Sequence, residues 1–279
     1  MRNDIATIAG NQRIAAGTWE MILQMPRTHE VRQALGKIRP GQFLNLKLAE
    51  HYLRRPISIC DWDEERQSIT IIYKVVGGGT QAMSRMSAGE PVDLLWPLGN
   101  GYDLEPAAEA ASSAGGAPLL IGGGVGVPPM AGLCRRLIRE GTDGSGDARG
   151  GSGRPLVILG FRSAEDAFYL EHFERMGARV IAVTEDGSMG QKGFVTDAMR
   201  ALQEEQGPAY CSSFFACGPE AMLRAVCEAM PEGIPGQLSF EERMGCGFGA
   251  CMGCSCRTKY GNKRICKDGP VLRREEILW

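Results

Sequence analysis

Four cysteines near the C-terminal end, Cys246, Cys251, Cys254 and Cys266, follow one another with gaps of four, two and eleven residues. Thiolates are the ligands of iron–sulfur clusters. The first two gaps match the plant-type order in which three close cysteines and a more distant fourth hold a [2Fe–2S] cluster. Between them lie Gly247-Phe248-Gly249-Ala250 and Met252-Gly253, mostly small residues. A loop wrapped round inorganic sulfide must turn its N–H groups inward, through backbone angles that glycine adopts without steric cost. A structural zinc site is the alternative. Zinc ligands usually come as two separated C-x2-C pairs, and this tail has one such pair. Cys256 reads as an extra packed thiol rather than a ligand. The other five cysteines are scattered, and ten cysteines in a chain of a reducing compartment are not a disulfide framework.

A second group of residues suits a phosphate-bearing ring compound. In Arg54-Arg55-Pro56-Ile57-Ser58, proline fixes the backbone, a guanidinium can pair with phosphate, and a strand-borne hydroxyl can reach a ring heteroatom. The plain alternative is an edge strand with solvated arginines. Ile72-Tyr73-Lys74 offers an aromatic face beside a cation, and Gly77-Gly78-Gly79-Thr80 is a glycine loop opening a helix, a common phosphate receiver. A third group, Gly122-Gly123-Gly124-Val125-Gly126-Val127-Pro128-Pro129, runs from a strand into a helix as a nucleotide-binding turn does. It departs from the G-x-G-x-x-G fingerprint, with Pro129 at the third glycine's place and no acidic residue closing the second strand. A tight turn without a ligand is the alternative. Cys217-Gly218-Pro219-Glu220 repeats the arrangement at the last strand's end, where Cys217 stands near a nicotinamide or is simply a buried small hydrophobe. His29, His51 and His172 are isolated and read as structural or surface residues. No Ser/His/Asp set or paired carboxylate stands out, which favours electron chemistry carried by cofactors.

The elements that must hold these groups change character along the chain. In the first hundred residues, short stretches rich in Ile, Val and aromatics at 18–25, 42–48, 56–61, 68–76 and 91–96 predict strands of a small antiparallel barrel, with a short helix at 80–86. An Ala/Ser/Gly stretch at 107–116 reads as a linker. Strands then alternate with helices: strands at 118–121, 156–160, 179–184 and 213–216, helices at 128–140, 164–176, 195–205 and 219–230. That rhythm predicts a doubly wound parallel sheet. A Gly/Ser/Asp-rich stretch at 141–154 reads as a mobile surface loop. From Gln237 on, few apolar positions repeat, and the tail is expected to depend on its cysteines for structure. Three domains follow: 1–106, 107–235 and 236–279. With 279 residues, 31 basic and 33 acidic side chains and a net charge of −2, the chain has no basic field for nucleic acid or an acidic membrane. No apolar run is long enough to span a bilayer, and no export signal opens the chain, so a cytoplasmic protein is expected.

The order Arg-Pro-x-Ser, glycine turn, Cys-Gly-Pro resembles the ferredoxin–NADP reductase superfamily, in which a flavin-binding barrel precedes a nicotinamide domain. The tail, Glu242-Arg-Met-Gly-Cys-Gly-Phe-Gly-Ala-Cys-Met-Gly-Cys-Ser-Cys and then Ile265-Cys-Lys-Asp-Gly-Pro-Val-Leu, narrows the resemblance. It is similar to the electron-transfer subunits of class 1B dihydroorotate dehydrogenases, along nearly the whole chain. That resemblance implies FAD, with Arg55 on the pyrophosphate and Ser58 at the flavin ring edge. Pro56, Ile57, Ile72, Tyr73, Lys74, Gly79 and Thr80 complete the implied flavin site. It implies NAD along Gly122, Gly123, Gly124, Gly126, Cys217, Gly218, Pro219 and Glu220, and a [2Fe–2S] cluster on Cys246, Cys251, Cys254 and Cys266. It also implies an FMN-containing catalytic partner, in a heterotetramer with two copies of each subunit. The neighbouring possibility is the reductase subunit of a transhydrogenase or hydrogenase complex. Arg162 leaves NAD against NADP open, since it could meet a 2′-phosphate or cap the next helix. The gap between Cys254 and Cys266 is shorter than that family's usual spacing.

Overall fold

The computed structural model describes residues 1–105, 116–142, 154–208 and 210–279; the expected linker at 107–116 and loop at 141–154 lie, but for their ends, outside them. Six antiparallel strands, β1 (Arg2–Ala15), β2 (Thr18–Gln24), β3 (Phe43–Lys47), β4 (Arg55–Asp63), β5 (Ser68–Lys74) and β6 (Pro91–Leu98), close a barrel in the order β1-β2-β5-β4-β3-β6. Alternate side chains such as Met21 and Leu23, Leu44 and Leu46, Ile69 and Ile71, and Leu94 and Trp96 fill its interior, as the period of two requires. Strand β1 alternates in burial from Arg2 to Ala9, but with polar Arg2 and Asp4 among the less exposed positions and Ile5 on the exposed face. Only Ala6 and Ile8 of it are fully buried, and it bends at Ile8/Gly10 to serve both β2 and β6, so its polar sequence hides it from a pattern search. Helix α1 (His29–Leu35), also unmarked in the sequence, plugs the barrel with Val31 and Leu35, and the Thr28 hydroxyl caps it by accepting from the Val31 N–H.

The second sheet has seven strands in the order β10-β9-β8-β7-β11-β12-β15. They are β7 (Pro118–Gly123), β8 (Leu156–Phe161), β9 (Arg179–Thr184), β10 (Gln191–Lys192), β11 (Ser213–Cys217), β12 (Gly236–Ser239) and β15 (Val271–Arg273), parallel except for β15. Connecting helices are α3 (Val127–Thr142), α4 (Leu170–Met176), α5 (Val195–Gln206) and α6 (Glu220–Ala229). Strand order reverses between β7 and β11, the place where open α/β sheets bind ligands. The helix expected at 164–176 is broken. A single turn at Ala164–Asp166 is followed by Tyr169 in a left-handed conformation (φ 68°) before α4 begins, because the barrel takes hold of this segment.

The tail is not held by its cysteines alone. β12 and β15 add two strands to the sheet, and the Arg274 guanidinium donates to the Cys227, Met230 and Pro231 carbonyls. Between them lie a hairpin, β13 (Ser255–Thr258) and β14 (Gly261–Arg264), and the short helix α7 (Ile265–Asp268).

Helix α3 packs directly on β4, the strand that carries Arg55 and Ser58. A Cβ at Gly132 would stand 2.9 Å from the Cys60 carbonyl oxygen and 3.1 Å from the Trp62 ring, so glycine is what lets helix and strand touch. Arg135, one turn on, pairs with Asp61 and lies 5.0 Å over the Trp62 ring. Overpacking of this kind costs about 1–3 kcal/mol, so Gly132→Ala should lower the urea midpoint accordingly. An unchanged midpoint would mean that α3 is free to shift away from the barrel.

Candidate functional site

β4 is an interior strand of a closed barrel, so the reading of Arg54 and Arg55 as solvated residues on an edge is corrected. The two arginines differ in what holds them. Arg54 is fixed by Asp93, donating to its carboxylate at 2.9 Å and to its carbonyl at 3.1 Å. Arg55 has no carboxylate partner among the described residues; its guanidinium donates to the Leu53 carbonyl and lies across Gly79, where a Cβ would overlap it. A guanidinium lying over a glycine loop without an anion is a cradle suited to phosphate. His51 sits on the same loop, its Nε2 facing Gly78, with a buried Nδ1 that has no partner.

The side chains of Ile72 and Tyr73 are both buried, Ile72 against the second sheet's helix α3 and Tyr73 inside the barrel with its hydroxyl donating to Asn11 at 2.9 Å. Lys74 pairs with Asp166 at 2.9 Å. The expected aromatic face beside a free cation is therefore not what these residues present. They present main chain instead. β5 pairs with β2 as far as Lys74, but its ladder with β4 stops at Ile71, so residues 72–74 have one backbone edge unpaired by strand. That edge and Ser58, at the end of the β4 ladder, can hydrogen-bond a heterocycle lying between them. Thr80 shapes the loop: its hydroxyl accepts from the Val76 and Gly77 N–H groups and donates to the Gly77 carbonyl. The helix it begins, α2 (Gly78–Met83), is a single short one.

On the second sheet, the turn after β7 and the turn after β11 meet at the reversal of strand order. A Cβ at Gly126 would overlap the Cys217 carbonyl, and one at Gly123 would meet Met222 and Pro219. Gly122 packs on Val127, Gly124 lies at φ +53° with open space beside it, and Pro219 caps α6, whose first residue is Glu220. Gly218 joins the two turns. Burial pushes the Cys217 thiol up to about 12, so it is a neutral group and not a nucleophile. Glu241, just past β12, is a residue that sequence reasoning missed. Solvent reaches it, yet surrounding protein pushes its carboxyl up, and its charge acts on Cys217. No local pattern marks it, because only the pairing of β12 with β11 brings it to the turn.

The tail gathers its thiols as two pairs. The N–H groups of Ala250 and Cys251 point at Cys246 Sγ at 3.2 and 3.4 Å, that of Cys246 at Cys251 Sγ at 3.5 Å, and that of Cys266 at Cys254 Sγ at 3.4 Å. Gly247 (φ 78°) and Gly249 (φ 91°) supply the left-handed angles that turn these N–H groups inward. Burial pushes the Cys246 thiol up, but the N–H groups of Cys251, Phe248 and Ala250 outweigh it and bring its pKa to about 6. Burial and the neighbouring Cys254 push Cys266 up to about 12. Among the described residues no three metal-ligating side chains crowd round a single point. Two thiol pairs with donated N–H groups fit a two-iron cluster, each iron taking a pair. Cys256 faces Lys263 across the hairpin and packs on the core, apart from both pairs. Gly247 touches Asn45 of β3, which seats the cysteine loop on the flavin-type barrel.

A barrel with a flavin-type cradle, a nicotinamide-type sheet and a thiolate-rich tail define a flavin- and nicotinamide-dependent iron–sulfur oxidoreductase. Comparison with known proteins agrees with each part. Residues 120–228 match the oxidoreductase NAD-binding domain, and residues 241–278 match the iron–sulfur cluster binding domain of dihydroorotate dehydrogenase B. The chain is 36% identical to the dihydroorotate dehydrogenase B (NAD+) electron transfer subunit of Fusobacterium nucleatum, over 99% of both chains. It is 40% identical to that of Bacillus caldolyticus, over 98% of this chain and 97% of the other. The chain belongs to the family of dihydroorotate dehydrogenase B electron transfer subunits. Among solved structures it resembles an NADH-dependent reduced ferredoxin–NADP oxidoreductase studied for flavin-based electron bifurcation. The TM-score is 0.80 and the identity 27%, covering 98% of this chain and 90% of that one. A ferredoxin–NADP+ reductase from Neisseria gonorrhoeae with bound FAD and NADP shares the fold at a TM-score of 0.61 and 15% identity, over 82% of this chain and 90% of that one. Among the described residues no helix is long and apolar enough to cross a membrane.

Proposed function

We propose that this chain carries electrons to NAD+ from a partner subunit that holds FMN and oxidises dihydroorotate, as a step of pyrimidine biosynthesis in the cytoplasm, in an assembly with two copies of each subunit. The observation that carries the reading is the placement of three sites on one chain: the Arg55 cradle on the barrel, the glycine turns at the strand reversal, and the paired thiols seated on β3. When bound, FAD exchanges a hydride with nicotinamide and single electrons with an iron–sulfur cluster. Arg55 would hold the FAD pyrophosphate, with Gly79 leaving room for the guanidinium and Thr80 fixing the loop. Pro56 and Ile57 would hold Ser58 at the ring edge, and residues 72–74 would meet the ring through the main-chain edge that β4 leaves unpaired.

Gly122, Gly123, Gly124 and Gly126 with Cys217, Gly218, Pro219 and Glu220 would line the NAD side. Cys246, Cys251, Cys254 and Cys266 would ligate the cluster, their N–H donors favouring the charged thiolates. The units 1–106, 107–235 and 236–279 would each carry one of these sites, although β12 and β15 of the last complete the sheet of the second. Arg162, largely exposed and 3.7 Å from Asp166, stands at the end of β8, where the adenosine ribose of NAD belongs.

The reading predicts that the chain with its FMN-containing partner reduces NAD+ when given dihydroorotate, and that the chain alone turns over no dihydroorotate. Among the described residues none of those proposed for its sites is a base placed to take a proton from carbon. Turnover by the lone chain would overturn that division. Failure to couple with any such partner would favour a reductase subunit of a transhydrogenase-type complex, the reading that the bifurcating oxidoreductase's similarity supports.

A further inference from the structure

We infer that Tyr169 is a positioning residue that sets the spacing between the flavin-binding barrel and the dinucleotide-binding sheet. A tyrosine has no business in the left-handed region on its own account, since its Cβ crowds the backbone there, and Tyr169 holds φ 68° and ψ 2° at the N-terminal end of α4. Its surroundings show what the strained turn achieves. The Tyr169 hydroxyl donates to the Glu20 carboxylate on β2 at 2.6 Å, and Cys60 of β4 lies beside the same hydroxyl. Three residues earlier, Asp166 accepts from Lys74 Nζ at 2.9 Å, and the Ala16 N–H donates to the Glu165 carbonyl at 2.8 Å. Glu20 sits opposite Ile72 in the β2–β5 ladder. The segment 165–169 therefore grips β5, whose end carries the proposed flavin edge, and its ladder partner β2.

The other end of the segment starts from β8. Arg162 and Ser163 follow the strand directly, and both contact Asp166. One short stretch thus spans from the dinucleotide end of the sheet to the flavin end of the barrel. It was expected to be a continuous helix, and a helix would point residue 169 elsewhere. A short charge-assisted bond between half-buried partners is stiff, and the His172 ring lies against that of Tyr169, tilted by 37° with centroids 4.5 Å apart, leaving the phenol little freedom. Hydride transfer is steep in distance, so a fixed gap between the two lobes is what such a clamp would supply.

The inference rests on the flavin and nicotinamide reading above. Its test uses the whole chain loaded with FAD. Tyr169→Phe removes only the hydroxyl. It should slow flavin bleaching by NADH roughly ten- to a hundredfold at saturating NADH, and weaken the long-wavelength charge-transfer absorbance of the stacked rings. FAD content and NAD+ affinity should stay near those of the unaltered chain. Glu20→Gln keeps an acceptor oxygen and should retain most of the rate, whereas Glu20→Ala should fall to the Tyr169→Phe level; this pair decides the matter even where Tyr169→Phe folds poorly. A wild-type rate and charge-transfer band in Tyr169→Phe, with only a lower melting temperature, would overturn the inference. An unaltered chain whose bound flavin is not bleached by NADH would instead overturn the functional reading beneath it.

Discussion

Replacing Cys251 with serine should abolish dihydroorotate-dependent NAD+ reduction by the assembled enzyme while leaving NADH oxidation by an artificial acceptor largely intact. Cys251 is the most exposed of the four proposed ligands, and its thiol is paired with Cys246 through main-chain N–H contacts. A serine hydroxyl does not supply the thiolate that iron requires. The proposed flavin cradle of Arg55, Ser58 and Gly79 lies on β4 and α2 and does not depend on that thiol. The variant should therefore lose iron, sulfide and the cluster's visible absorbance and spin signal, and keep its FAD. Because the cluster belongs on the route to the partner and not between NADH and FAD, the two activities should separate. Full iron and sulfide content in Cys251→Ser would remove Cys251 from the ligand set, and equal loss of both activities would place the cluster on the wrong side of the flavin.

The second large effect is expected at Arg55. Removing a charge-assisted contact to phosphate costs about 1.5–3 kcal/mol, or about one to two decades in FAD affinity. Arg55→Ala should thus release FAD on dilution, measured by the flavin retained after gel filtration or by titration of the apoprotein. Arg55→Lys should recover only part of the affinity, since a point charge does not reproduce the guanidinium fork. Arg54→Ala serves as the contrast. Arg54 is bound to Asp93, so its loss should weaken the barrel and leave intrinsic FAD affinity close to normal. Unchanged affinity in Arg55→Ala would move the pyrophosphate site away from Gly79.

Legibility of the fold followed packing. Strands β2 to β6 show in the sequence because one face of each fills the barrel, and β7, β8 and β11 show as short, almost wholly apolar runs because both their faces are covered. β1 was hidden because it lies along two partners with a polar sequence, and its place is fixed by β2 and β6 rather than by its own pattern. The helix at 164–176 has a helical pattern, yet Glu20 and Lys74 pull Tyr169 and Asp166 out of it. In the site, residue types and spacing pointed to Arg55, Ser58 and the four cysteines. The same reasoning offered Tyr73 as an aromatic face for a ligand, since an aromatic in a strand can face either way and only barrel closure decides which.

Local covalent and backbone chemistry is what the sequence by itself determined. Thiol spacing with intervening glycines points to an iron–sulfur loop, Arg-Pro-x-Ser ahead of a glycine loop offers a candidate phosphate cradle, and strand–helix alternation selects a parallel sheet. All act within a few residues of one another. Tertiary structure alone decided which arginine is tied to a carboxylate, by setting Asp93 against Arg54. It also brought Glu241 to Cys217 through the pairing of β12 with β11, seated the cysteine loop on Asn45, and fixed the gap between barrel and sheet through Gly132 and Tyr169. Those outcomes depend on contacts between segments far apart in the chain, which no short window of sequence contains.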